Sequence, residues 1–182
     1  YQKLFYQALN EHFDLAVEGY DQKGLRKELI DRKKDKFKFI HLHWLHNFFD
    51  FKDPSVLENT IEALSYAKQN GFEIIYTAHN ISSHDSENAE DEKRYREQIL
   101  SFVDHSLAHG ELAKQRLIKE FEVPEDSIEI VPHGTYGDFY GEKIDKTQAK
   151  EKFGIPAKST VFLFFGNIKG YKGIFNLLSR FQ

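Results

Sequence analysis

Apolar residues at helical spacing open the chain: Leu4, Phe5, Ala8 and Leu9, with His12 on the same face. Residues 15–20 are short and apolar and predict a strand. Residues 37–45, FKFIHLHWL, predict a buried strand whose far end is rich in histidine. Asp53-Pro54 is a helix start, since proline fits the first turn and aspartate can cap it. Leu57, Ile61 and Leu64 continue one face to a stop at Gly71. Residues 72–78, FEIIYTA, predict the next strand, which delivers His79 and Asn80. The polar, acidic run 82–92 predicts a loop, and Tyr95, Ile99, Phe102 and Val103 mark the helix after it.

The alternation continues with a strand over 104–109, a helix over 111–121 and a strand over 127–131 that ends at Pro132-His133-Gly134. Residues 135–146 show no period and predict a linker. A short helix at 147–153 stops at Gly154 and Pro156. Residues 160–165, TVFLFF, predict a strand that runs into a turn with Gly166, Gly170 and Gly173, and lysines at 169 and 172. Ile174, Leu177, Leu178 and Phe181 then predict a helix. Strand and helix alternating in this way predict an α/β chain with a Rossmann-like parallel sheet and flanking helices.

Composition narrows the class without changing the fold. Of 182 residues, 40% are hydrophobic and 30% charged, an ordinary globular balance. A net charge of −4 gives no reason to expect nucleic acid as a partner. With no cysteine, disulfides and thiolate metal sites are excluded, which fits a reducing cytoplasm. No apolar run reaches the length of a membrane span. Residues 26–38 carry Arg26, Lys27, Arg32, Lys33, Lys34, Lys36 and Lys38. We favour a solvated helix there; the sharper reading is a peripheral contact with an anionic membrane surface.

Ligands of parallel sheets sit at the C-terminal strand ends. Four of the predicted ends carry suitable chemistry: His41/His43/His46, His79/Asn80, His133/Gly134 and Gly166/Lys169/Lys172. The spacing of His41, His43 and His46 is similar to the HxHxDH zinc motif of metallo-β-lactamase-type hydrolases, with Leu45 where the aspartate belongs. A metal-dependent hydrolase is therefore one alternative; we favour histidines satisfied at the strand end, and no metal. His79 could orient a sugar hydroxyl or carbonyl or move a proton, or merely satisfy backbone groups, and spacing leaves both readings open. The GxxxGxxG turn matches neither dinucleotide-binding nor Walker patterns. Its two lysines favour a diphosphate.

Taken in order, HLHW (41–44), YTAHNISSH (76–84), the strand–helix 104–121, IVPHGTYGDFY (130–140), KFGIP (152–156) and LFFGNIKGYKG (163–173) resemble the family-4 retaining glycosyltransferases of GT-B fold, nearest to the bacterial members that build surface polysaccharides. The resemblance implies an N-terminal Rossmann-like acceptor domain over 1–140, lacking its first strand and the loop after it. It implies that 141–182 is a linker plus the first βα unit of a donor domain that continues further. By position, His79 corresponds to the catalytic-cleft histidine that contacts the donor sugar. Gly134 corresponds to the glycine of the P-[NH]-G segment that leads into the interdomain linker, and His43, Asn80, His84, His133 and Gly134 are the candidate acceptor- or sugar-binding residues. Gly166, Asn167, Lys169 and Lys172 correspond to the donor diphosphate site, with Asn167 where many members have arginine.

The implied activity is transfer of a sugar, with retention, from a nucleotide-diphosphate sugar to a saccharide or lipid-linked acceptor. No cofactor is implied beyond that donor, and the implied location is the cytoplasm, at the inner face of the membrane. The isolated piece is expected to be inactive. A non-catalytic carbohydrate-binding module is the other alternative.

Overall fold

The computed structural model describes residues 2–13, 15–20, 22–82, 88–137 and 139–180. They form two compact units, Tyr1–Gly134 and Thr135–Gln182, each taken by itself below.

The first unit is built on a parallel sheet of β1 (Phe39–His43), β2 (Glu73–Ala78), β3 (His105–Ala108) and β4 (Ile128–Ile130), in that order. The crossovers are helical: α3 (Ser55–Gln69), α4 (Ala89–Leu100) and α5 (Glu111–Phe121). Strands added in sequence through right-handed crossovers place all three helices on one face. α1 (Gln2–Phe13) and α2 (Lys27–Lys33) precede the sheet.

Strand alternation sorts the side chains. Leu42, Ile74, Tyr76 and Ala108 enter the apolar core with Leu57, Ala63, Leu64 and Ile99 from the helices. His41 and His43 alternate with Leu42, so they lie on the opposite face, where His41 pairs in register with Ile75 and His43 with Thr77. α1 reaches this second face, with the Tyr6 ring edge-on to both histidines.

Local chemistry holds the element ends. The Asp53 carboxylate accepts from the Ser55 N–H at 3.1 Å and opens α3, and Gly71 takes a left-handed φ of 75° after its close. Asp104 accepts from the Ile74 N–H at 2.8 Å and from Lys68 at 2.6 Å, tying the start of β2 to the residue before β3. The Glu92–Arg96 ion pair is 3% and 2% exposed, and it lies one helical turn apart within α4.

The Ser106 hydroxyl on β3 is fully buried and has no hydrogen-bond partner among the described residues. A buried, unpaired hydroxyl costs stability, so Ser106→Ala is expected to raise the urea midpoint, by about 1 kcal/mol in unfolding free energy. A loss of stability instead would show that the hydroxyl is paired in solution.

The structure differs from the sequence reading at three places. Residues 15–20 are not a strand. They are exposed, and residues 16–20 line a groove of about 500 Å³ together with Phe39, Ile40 and His41; no ladder joins them to β1. The helix expected after residue 92 begins at Ala89, which shortens the acidic loop. The predicted strand at 160–165 is also absent. All its side chains but the half-buried Phe164 are exposed, Leu163 and Phe165 at 84% and 94%, and the second unit has no other strand among the described residues to pair with it. A strand exists only where a neighbour completes its hydrogen bonds.

The second unit consists of α6 (Lys146–Lys152), a 3₁₀ turn at Gly170–Lys172 and α7 (Ile174–Leu178). Asp145 caps α6 by accepting from the Thr147 N–H at 2.7 Å. Lys150 donates to the Ala157 and Ser159 carbonyls, folding the segment after the helix back on it. Phe181, assigned to the last helix from its spacing, lies outside the described residues.

Candidate active site

Four parallel strands in sequential order bring the residues after each strand into one row. Neighbouring strands lie about 4.8 Å apart, so equivalent side chains at their ends meet at ring-packing distance. Here the row is aromatic. His41 and His43 ring centroids are 4.2 Å apart, His43 and His79 5.1 Å, His79 and His109 5.3 Å, and His109 and His133 5.1 Å.

The contacts are also polar. Tyr6 Oη lies 2.7 Å from His43 Nε2, and His43 Nδ1 lies 2.8 Å from His79 Nε2. His79 Nδ1 lies 3.4 Å from His109 Nε2, and His109 Nδ1 donates to the Val131 carbonyl at 3.0 Å. His41 Nε2 shares a 2.8 Å hydrogen bond with Thr77 Oγ1. Trp44 covers the row: its indole stacks on His79 at 4.5 Å and 16°. To do so, Trp44 adopts a left-handed φ of 51°, a conformation that costs a non-glycine residue on the order of 1 kcal/mol.

Burial sets the electrostatics. It pushes His41 down to about 4, with the nearby His79 ring adding to the effect. It pushes His43 down to about 3, with His41, His79 and His109 contributing. It pushes His79 down to about 4, with His109 and His133 contributing. All three are neutral imidazoles at neutral pH, able to donate at one nitrogen and accept at the other.

The site residues read from the sequence fall into separate groups. His43 and His79 are in direct contact, and His133 joins the row through His109. Asn80 follows His79, and its backbone carbonyl lies 3.5 Å from Arg96 Nη1. The Gly134 carbonyl accepts from His133 Nδ1 at 2.9 Å. His84 lies outside the described residues. His46 turns away in a 3₁₀ turn at Leu45–Asn47 and packs edge-on to Trp44 at 5.9 Å. The sequence grouping of His41, His43 and His46 is therefore not a cluster. Among the described residues, no three His, Asp or Glu side chains converge as a metal site.

Within the second unit, Gly166 and Gly173 take left-handed φ values of 119° and 68° on either side of Lys169 and Lys172. Space is open beside Gly166, Gly170 and Gly173, and both lysines are exposed. Lys172 Nζ lies 5.3 Å over the Tyr171 ring. Three of the seven cations of the basic stretch near α2 are seen in ion pairs: Lys27 with Glu62, Lys33 with Glu18 and Lys34 with Asp31. Among the described residues, no helix is long and apolar enough to cross a membrane.

Sequence reasoning did not single out Tyr6, Trp44 or His109 as members of the site. His109 carried a usable signal, since it follows β3 as His79 follows β2. Tyr6 carried none, because its role depends on where α1 lies.

No family model and no curated protein matches this chain. Among solved structures, it is similar to the crystal structure of a glycosyltransferase from Rickettsia africae ESF-5, with a TM-score of 0.55 and 19% identity. The match covers 97% of this chain and 46% of that one, so the chain spans just under half of that protein's length. At this identity the likeness concerns the fold: the chain has a Rossmann-like α/β architecture of the kind found in a glycosyltransferase.

Proposed function

We propose that the chain belongs to a retaining, family-4-like glycosyltransferase of GT-B fold. It would move a sugar from a nucleotide-diphosphate donor to a saccharide or lipid-linked acceptor, in the cytoplasm at the inner face of the membrane, for bacterial surface polysaccharide. The observation that carries this reading is the row His43, His79 and His109 under Trp44, at the edge of a parallel sheet where ligands of such sheets bind. Neutral imidazoles and an indole face suit sugar hydroxyls and C–H surfaces better than a charged substrate. The likeness to a glycosyltransferase fold supports the same reading by analogy.

In this reading His79 contacts the donor sugar, while His43, Asn80, His84, His133 and Gly134 border the sugar or acceptor. Gly166, Asn167, Lys169 and Lys172 hold the diphosphate, the lysines stabilising the leaving charge. Among the described residues His41, His43 and His46 do not group as metal ligands, which favours the transferase reading over the hydrolase alternative.

Titrating UDP and GDP into the full-length protein tests the reading. Lys172→Ala is expected to weaken binding of the preferred nucleotide diphosphate about tenfold, the effect of one charge-assisted contact, and to leave nucleoside binding unchanged. Sugar binding with no affinity for either nucleotide would instead identify a non-catalytic carbohydrate-binding module.

A further inference from the structure

The strand-end histidines form a chain of hydrogen bonds whose direction is set at one terminus. A carbonyl oxygen can only accept, so His109 Nδ1, 3.0 Å from the Val131 oxygen, must carry the ring proton. With its one ring proton at Nδ1, His109 presents the lone pair of Nε2. His79 Nδ1, 3.4 Å away, has to be the N–H that points at it. That leaves His79 Nε2 as the acceptor for His43 Nδ1–H at 2.8 Å, and His43 Nε2 as the acceptor for the Tyr6 hydroxyl at 2.7 Å. Each gap has room for one proton. Reversing any link would set two N–H groups or two lone pairs against each other.

We infer that His109 is a positioning residue: anchored on the Val131 carbonyl, it holds His79 as the Nδ1–H tautomer and fixes the polarity of the Tyr6–His43–His79–His109 chain. Tautomer choice in a histidine follows the hydrogen bond made by the other nitrogen, and here that dependence passes through three rings in succession. Burial, which keeps His43 and His79 neutral, lets the arrangement persist at neutral pH.

The consequence for a ligand follows from the unequal links. The 3.4 Å contact between His79 and His109 is the longest in the chain and the first to open. A hydroxyl that inserts there meets the Nδ1–H of His79, so His79 engages the ligand as a hydrogen-bond donor. It does not act as a base, because its other nitrogen remains held by His43. This consequence rests on the reading of His79 as the sugar contact. The tautomer does not, so a failed donor titration and a failed tautomer measurement are separate results.

The experiment is long-range proton–nitrogen correlation NMR on full-length protein labelled with ¹⁵N in the histidine rings, at neutral pH. Wild type is expected to show His43, His79 and His109 all as Nδ1–H tautomers. His109→Phe keeps a ring but removes the acceptor, and should shift His79 to Nε2–H. His109→Gln, whose amide supplies both an acceptor and a donor, should restore Nδ1–H. Tyr6→Phe should leave His79 unchanged, since polarity is set at the other end.

An Nε2–H signal for His79 in wild type overturns the inference. So does a folded His109→Phe that retains Nδ1–H, or a Tyr6→Phe that inverts it. If His109→Phe does not fold, the wild-type and Tyr6→Phe spectra decide alone.

Discussion

Arg96→Ala is expected to lower the unfolding free energy of the chain by about 3–5 kcal/mol, the usual cost of removing one partner from a buried ion pair. Arg96 and Glu92 are 2% and 3% exposed, and the guanidinium donates to Glu92 Oε1 through both Nε, at 2.9 Å, and Nη2, at 2.7 Å. Alanine would leave the Glu92 carboxylate in the core without its guanidinium. Because two charges are costly to desolvate even as a pair, replacing both residues by methionine should recover most of the loss. Urea unfolding of the single and double variants measures this. A single-variant loss below about 1 kcal/mol would be the value of a surface pair, and would show that water reaches this one. The effect bears on the site as well as on stability. Arg96 also lies 3.5 Å from the Asn80 carbonyl, directly after His79, so the single variant should loosen the exit of β2.

Acid should destabilise the same unit through its histidines. His41, His43 and His79 are held at about 4, 3 and 4 against an ordinary value of 6.5, chiefly by burial. The unfolded chain therefore binds more protons than the folded one in the window from about 6.5 down to about 4, and to about 3 for His43. Stability is fully present above that window and is lost as pH falls through it; His41, the most enclosed ring, removes up to about 2 kcal/mol by pH 5, and the half-buried His79 removes less because solvent screens its charge. The carboxylates held low by lysine partners, such as Asp31 and Asp50, act only further into acid. Urea midpoints between pH 7.5 and 4.5 should thus fall steeply, and His41→Phe should flatten the slope. A midpoint that stays level from pH 7 to 5 would show that the rings take up protons without cost, and that the row is open to water.

Much of the fold was legible because its signals are local. The helix at Glu111–Phe121 was read to the residue, and each of the four strands was found within a residue or two of its ends. Apolar runs bounded by Asp-Pro and by Gly71 are sufficient for that. The two strands that were predicted but are absent, at 15–20 and 160–165, are at least as apolar as the real ones. What they lack is a neighbour, and no property of a six-residue segment reports on its neighbour. Residues 41–46 failed for a related reason. Histidines two apart on a strand do share a face, but the third sits beyond Trp44, whose left-handed backbone turns it away.

The sequence by itself determined that this is an alternating α/β chain with histidines leaving successive strands, because periodicity and turn residues act over a few positions. It also carried the glycine–lysine turn at 166–173 as a local motif. Only the tertiary structure decided which strands pair, in what order, and so which rings meet. The sequential order β1-β2-β3-β4 sets His43, His79, His109 and His133 side by side at the spacing of the sheet. Packing α1 across the other face supplies Tyr6, and a carbonyl on the segment after β4 orients the imidazole chain. Hydrogen-bond direction is a property of contacts between segments, and it comes into being only when those segments are assembled.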